Sequence, residues 1–175
     1  MDNIKDYVKS LNIDDIPWHR MVTAYETAEK YPEYLRILDE MKDLDEVKMA
    51  WNSISDFEHQ STLFTPAPFA LVFLVRIYRK AKQTDTPEAE WLVNQLNKCF
   101  KYYLEVCTDA DSMKHAEPLE NMSDILNDKY LLPEGVNLYD YDDEDEFEEL
   151  NEKLFPEDLF YSLYYYTRII LKEVI

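Results

Sequence analysis

Glycine is almost missing from this chain, with one residue, Gly135, in 175. Hairpin turns use glycine to reach positive φ and phosphate loops use it to let the backbone approach a ligand. Its scarcity therefore argues against an all-β fold and excludes a glycine-rich nucleotide loop. Basic residues are scarce as well: 18 Lys and Arg face 37 Asp and Glu, a net charge of −19. Affinity for phosphate backbones comes largely from cationic side chains, so nucleic acid and anionic membrane are excluded as partners and cationic ones are favoured. No apolar run approaches the roughly 20 residues that span a bilayer, and the opening MDNIKDYVKS lacks the basic region and apolar core of a signal peptide. The two cysteines, Cys99 and Cys107, fall eight apart on one expected helix. That spacing is roughly 12 Å of axial rise, too far for a bridge. Together these absences lead to the expectation of a soluble protein in a reducing cytoplasm.

What is present points to a folded all-α domain. Hydrophobic residues make up 46% and aromatic residues 14%, enough for a chain of this length to build a sizeable core as a single domain over 1–175. Eight prolines punctuate the sequence, and most precede a run of helical periodicity, as suits a residue with no N–H to satisfy in a first helical turn. Ile4, Tyr7, Val8 and Leu11 give a first stripe, and Pro17 opens a second through Trp18, Met21, Val22, Tyr25 and Ala28. Pro32 opens a third through Leu35, Leu38 and Met41, and Asp43 or Asp45 caps a fourth through Val47, Ala50, Trp51 and Ile54. PAPFALVFLVRIYRKAKQ, from Pro66, predicts a buried central helix with its basic end placed against the negative helix pole. Thr86 caps a long helix through Leu92, Leu96, Phe100, Tyr103 and Cys107; a less regular region follows, with one short helix around Leu119 to Leu126 and a turn at Gly135. Pro156 opens a last, aromatic helix. The count comes to about eight to nine helices.

Charge is concentrated in the C-terminal third. Residues 108–160 hold 18 acids against Lys114, Lys129 and Lys153, and the densest stretch, Asp140 to Glu149, has eight acids in ten residues. Like charges at this density repel, so the run costs stability unless something cationic meets it. Two readings stand: a solvated loop or helix start that keeps the chain soluble, or a contact surface. The interleaved Tyr139, Tyr141 and Phe147 favour contact, since aromatic side chains carry much interface energy. The candidate surface is therefore Tyr139, Asp140, Tyr141, Asp142, Asp143, Glu144, Asp145, Glu146, Phe147, Glu148 and Glu149. A calcium loop is disfavoured, for the run lacks EF-hand spacing and the loop glycine. Tyr161, Tyr164, Tyr165 and Tyr166 fit either a helix core with a polar rim or an exposed partner face.

Catalytic patterns are wanting. His19, His59 and His115 form no HExxH or paired ExxH motif, and Asp56-Phe-Glu-His59 offers possible ligands without a second half. No serine lies in GxSxG, and no nucleophile–base pair is visible in the spacing. A non-enzymatic protein without metal or cofactor is expected.

Ile16-Pro-Trp-His-Arg-Met-Val-Thr-Ala-Tyr25, Ala28 and Tyr31-Pro-Glu-Tyr-Leu35, followed by Glu58-His-Gln-Ser-Thr-Leu-Phe64, Pro66-Ala-Pro-Phe69 and Phe73-Leu74, resemble bacterial HEAT-like helical-repeat proteins over about residues 16–80. Glu26 and Ser61 stand where that family usually carries glycine. The resemblance implies stacked antiparallel helix pairs over 16–107, an acidic insert over 108–155 and a C-terminal helix over 156–175. It makes Trp18, His19, Tyr25, His59 and Gln60 structural motif residues, with His59 and Gln60 cross-linking helices by hydrogen bonds. Such proteins often look like immunity proteins of polymorphic toxin systems, so the resemblance also implies a cytoplasmic protein that binds and blocks a cognate toxin. The acidic surface adds the expectation that this toxin has a basic C-terminal domain, and a monomer is favoured with the oligomeric state left open. The alternative is an adaptor for a non-toxic cellular partner.

Overall fold

The computed structural model describes residues 4–141 and 144–172, and they form a mostly helical fold with one small hairpin. Seven α-helices occur among these residues: α1 Ile4–Ser10, α2 Tyr31–Glu40, α3 Leu44–Ile54, α4 Ala67–Ala81, α5 Pro87–Ser112, α6 Glu144–Leu154 and α7 Glu157–Lys172. Glu58–His59 (β1) and Thr62–Leu63 (β2) pair antiparallel, with Glu58 opposite Leu63 and His59 opposite Thr62. The remaining helical pieces are short 3₁₀ turns, so the expected eight or nine helices resolve into seven and a set of turns.

Helix α4 is central because its apolar residues encircle it: 12 of its 15 residues are buried. It packs against α2, α5 and α7, and α7 also lies along α5. Arg76, half-buried on α4, donates to the Val8 and Leu11 carbonyls (2.6 and 2.9 Å) and so occupies carbonyls left open at the end of α1. Caps set two other helix starts. The Asp43 carboxylate accepts from the Asp45 and Glu46 N–H groups at 3.0 Å, and the Thr86 hydroxyl accepts from Ala89 N–H at 3.3 Å. Each such cap contributes about 1 kcal/mol.

The stretch after Pro17 departs from the expected second helix. Only Trp18–Arg20 turns, as a 3₁₀ piece, and the chain then runs extended, with Val22 bridged to Thr27. The cause is Thr23, whose hydroxyl accepts from the Tyr25 and Glu26 N–H groups and so offers the backbone a turn in place of a helix. Backbone bonds from Thr23 N to Glu26 O (2.8 Å), Ala24 N to Asp56 O (3.1 Å) and Ala28 N to Met21 O (2.9 Å) close the loop. Trp18, Met21, Val22 and Ala28 are buried as a helical stripe would have buried them, while Tyr25 points outward.

The hairpin is the second departure. Its two-residue turn, Gln60–Ser61, has φ of 50° and 66°, the left-handed region, without a glycine. The acidic run, for which the sequence offers a solvated loop or helix start, enters the regular helix α6 in its second half. Leu150 and Leu154 of α6 are buried with Val22 and Leu132 in a small apolar cluster of their own.

Candidate interaction surface

Asp56 fixes the geometry of this region. Its side chain accepts from the Tyr31 hydroxyl on Oδ1 (2.5 Å) and from the Thr23 hydroxyl on Oδ2 (2.7 Å). This ties the 23–27 turn, α2 and the end of α3 together, and burial, then the neighbouring Asp56 charge, pushes the Tyr31 hydroxyl well above its usual pKa. Asp56 is therefore a cross-link of the core, and no group of three His, Cys, Asp or Glu that could hold a metal exists among the described residues. His59 sits on β1 with Nδ1 3.1 Å from the Tyr25 hydroxyl, their rings edge to face at 5.3 Å. The His–Gln segment consequently links the hairpin to the 23–27 turn through His59, whereas Gln60 lies at the exposed turn.

Around that turn the surface is aromatic. Glu58 Oε1 accepts from Ser61 N–H (2.7 Å) and from the Tyr102 hydroxyl (3.0 Å), which brings α5 against the hairpin. On its other side the Tyr164 hydroxyl donates to Ser61 O at 3.0 Å, and Phe160 packs on Tyr164 at 5.2 Å. A groove of about 810 Å³ runs from Ser61 past Met113, Phe155, Phe160 and Tyr164. A polar cleft of about 380 Å³, lined by Tyr25, Glu26, Tyr34, Asp56, Glu58 and His59, lies on the other side. Tyr25, Met113, Tyr102 and Phe160 are 71%, 66%, 41% and 41% exposed. Of these, Tyr25 and Tyr102 bond to the hairpin itself, Phe160 packs on the Tyr164 that donates to Ser61, and Met113 lines the groove that reaches Ser61. The other exposed large hydrophobic residue of the described chain, Met49, lies on α3.

The tyrosine-rich helix is core with satisfied tips. Tyr161, Tyr164 and Tyr166 are buried, and their hydroxyls donate to Asp111 (2.5 Å), Ser61 O (3.0 Å) and Leu119 O (2.6 Å). Burial, followed by the Asp111 carboxylate, pushes the Tyr161 hydroxyl up to about 12. Arg168 pairs with Asp111 from α7, and the two donors hold that carboxyl below its ordinary value. His115 stacks on Tyr161 at 3.4 Å. Both cysteines are free thiols; Cys107 is buried, and burial pushes it up to about 12.

The acidic run is split. Asp142 and Asp143 lie outside the described residues; Tyr139 falls in the Leu138–Asp140 turn, and Glu144 and Phe147 fall in α6. Asp140, Asp145, Glu146, Glu148 and Glu149 are exposed. Tyr141 is half-buried against the Val22–Leu132–Leu150–Leu154 cluster. No ion pair reaches Glu146, Glu148 or Glu149 among the described residues. Elsewhere the motif residues are tied down: Trp18 Nε1 donates to Ile13 O (2.7 Å), and His19 Nε2 lies 3.2 Å from a Glu134 carboxylate oxygen.

Tyr102, Met113 and Phe160 were not legible as site residues. Tyr102 does carry a signal, being an aromatic residue out of phase with the Leu92–Leu96–Phe100–Tyr103 stripe of α5. No family model, curated protein or solved structure matches the chain. No helix among the described residues is long and apolar enough to cross a membrane.

Proposed function

We propose that the chain is a non-catalytic binding protein that neutralises a cationic protein partner. By the resemblance of residues 16–80 to HEAT-like immunity proteins, that partner is a bacterial toxin domain, met in the cytoplasm. One observation carries the cationic partner: a regular helix, α6, whose leucines anchor it to the body while Glu146, Glu148 and Glu149 face solvent with no basic neighbour paired to them among the described residues. Close like charges on a helix each cost tenths of a kcal/mol, and a partner bearing Lys and Arg relieves that repulsion. A basic cleft that holds phosphate in a nuclease would be steered toward such a surface, which carries the same sign of charge as its substrate. Stacked antiparallel helix pairs, as in the resembling family, would give the rigid frame this requires.

Affinity capture from source cells, washed at low and then high salt, tests the proposal. The expected result is one dominant partner with a basic C-terminal domain that kills cells when expressed alone and not when co-expressed with this chain. A dominant partner that is acidic, or one that is harmless alone, overturns it.

A further inference from the structure

We propose that the ring of exposed aromatic and apolar side chains around the β1–β2 hairpin is the docking face for a protein segment that places Arg or Lys beside a bulky apolar residue. The inference rests on the reading of the chain as a binder of cationic protein. Single exposed hydrophobic residues are ordinary on any surface, but here Tyr25 and Tyr102 bond to the hairpin and the exposed Met113 and Phe160 line the groove that reaches its Ser61, while Glu58, Tyr102 and Tyr164 fix the hairpin turn by hydrogen bonds. A preorganised face loses little entropy on binding.

Charge decides the occupant. The polar cleft presents the Glu26 and Glu58 carboxylates beside the Tyr25 and Tyr34 rings, with Asp56 adding negative charge while its oxygens stay engaged by Tyr31 and Thr23, and Asp109 and Glu157 line the apolar groove. Among the described residues lining the two hollows, Lys114 is the one Lys or Arg. Carboxylates beside aromatic rings suit a guanidinium or ammonium group, which is attracted by both. The groove around Met113 and Phe160 suits the apolar neighbour. A second copy of this chain is a poor occupant, since it would bring the same negative face and a net charge of −19. Phe155, directly after α6, lines the groove, so the acidic helix leads to the docking face.

The test is a phage-displayed library of random 12-residue peptides selected on the full chain, with enriched peptides measured on variants whose melting curves match the parent. Enriched sequences are expected to pair Arg or Lys with an aromatic or large aliphatic residue. They should bind at least tenfold more weakly to Tyr25→Ala and to Met113→Ser/Phe160→Ser, and equally to Met49→Ser, which alters the exposed methionine outside the ring. No enrichment, enrichment of acidic or neutral peptides, or undiminished binding to both ring variants overturns the proposal. A chain that passes this test but protects cells from no toxin refutes the toxin reading alone; one that protects cells with both ring variants intact in function refutes the docking face alone.

Discussion

Replacing Asp56 by Ala removes one carboxylate and strands two donors. The Tyr31 hydroxyl and the Thr23 hydroxyl both donate to it, and both residues are buried. A hydrogen bond to a charged acceptor contributes roughly 1.5–3 kcal/mol, and a buried donor left unpaired costs a comparable amount. Thr23 has a second acceptor within reach, the Glu26 carbonyl at 3.1 Å, which recovers part of its share. The expected loss is therefore about 3 kcal/mol, or roughly 6–12 °C in melting temperature for a domain of this size. Asp56→Asn separates hydrogen bonding from charge: its amide oxygen still accepts from Tyr31, and its NH₂ donates to Thr23 while that hydroxyl turns to Glu26. That variant should lose only about 1 kcal/mol. Urea titration followed by tryptophan fluorescence measures both, and a Tyr31→Phe/Asp56→Ala cycle should return a coupling of about 1–2 kcal/mol. An Ala variant within about 1 kcal/mol of the parent, or Ala and Asn variants that lose equally, would refute the cross-link.

Other expectations follow from the same geometry. Ser61→Gly relieves a left-handed residue at the exposed turn and should raise stability by about 0.5–1 kcal/mol in the same titration. Arg168 and Tyr161 hold the Asp111 carboxyl below its ordinary 3.8, so its stabilisation is present above that value and lost as pH falls below it. Asp111→Asn should therefore flatten the acid limb of a stability profile between pH 5 and 2. The Cys107 thiol, pushed up to about 12, stays protonated where a free thiol ionises near 9.0. Its contribution is present below 9.0 and lost as pH rises toward 12, and a disulfide reagent at pH 8 should reach Cys107 only as fast as the protein opens.

Most of the helical frame was legible because several signals agreed at each helix. The apolar stripe of α3 coincides with an Asp43 cap, that of α5 with Thr86 followed by Pro87, and α4 is apolar around its circumference. The stretch after Pro17 misled because a buried threonine competes for backbone donors, and nothing in the apolar spacing of Trp18, Met21 and Val22 reports that competition. The hairpin was hidden for a related reason. Its turn takes left-handed backbone with Gln60 and Ser61, held by Glu58 and Tyr164, which are distant in sequence from each other. In α7 the period places tyrosines on every face, and only the positions of Asp111, Ser61 and Leu119 decide that the hydroxyls are satisfied inside and Phe160 is left outside.

If the hairpin ring docks a cationic segment, the acids of α6 and the ring act at different ranges. Glu146, Glu148 and Glu149 stand five to eight residues before Leu154, about 8–12 Å of helix and roughly one screening length or more at physiological salt, so their pull on a contact made beyond Leu154 is weakened. They act instead on approach, where a large negative field steers a basic protein before any contact forms. Neutralising Glu146, Glu148 and Glu149 to Gln should then leave the free protein as stable as the parent, or slightly more so. With the partner, it should slow association severalfold at low salt and flatten the salt dependence while leaving dissociation unchanged. The ring variants should do the reverse, since a buried apolar contact is broken only when the complex parts. Dissociation that quickens in the α6 variant as much as in Tyr25→Ala would place the acids inside the contact and remove this division of roles.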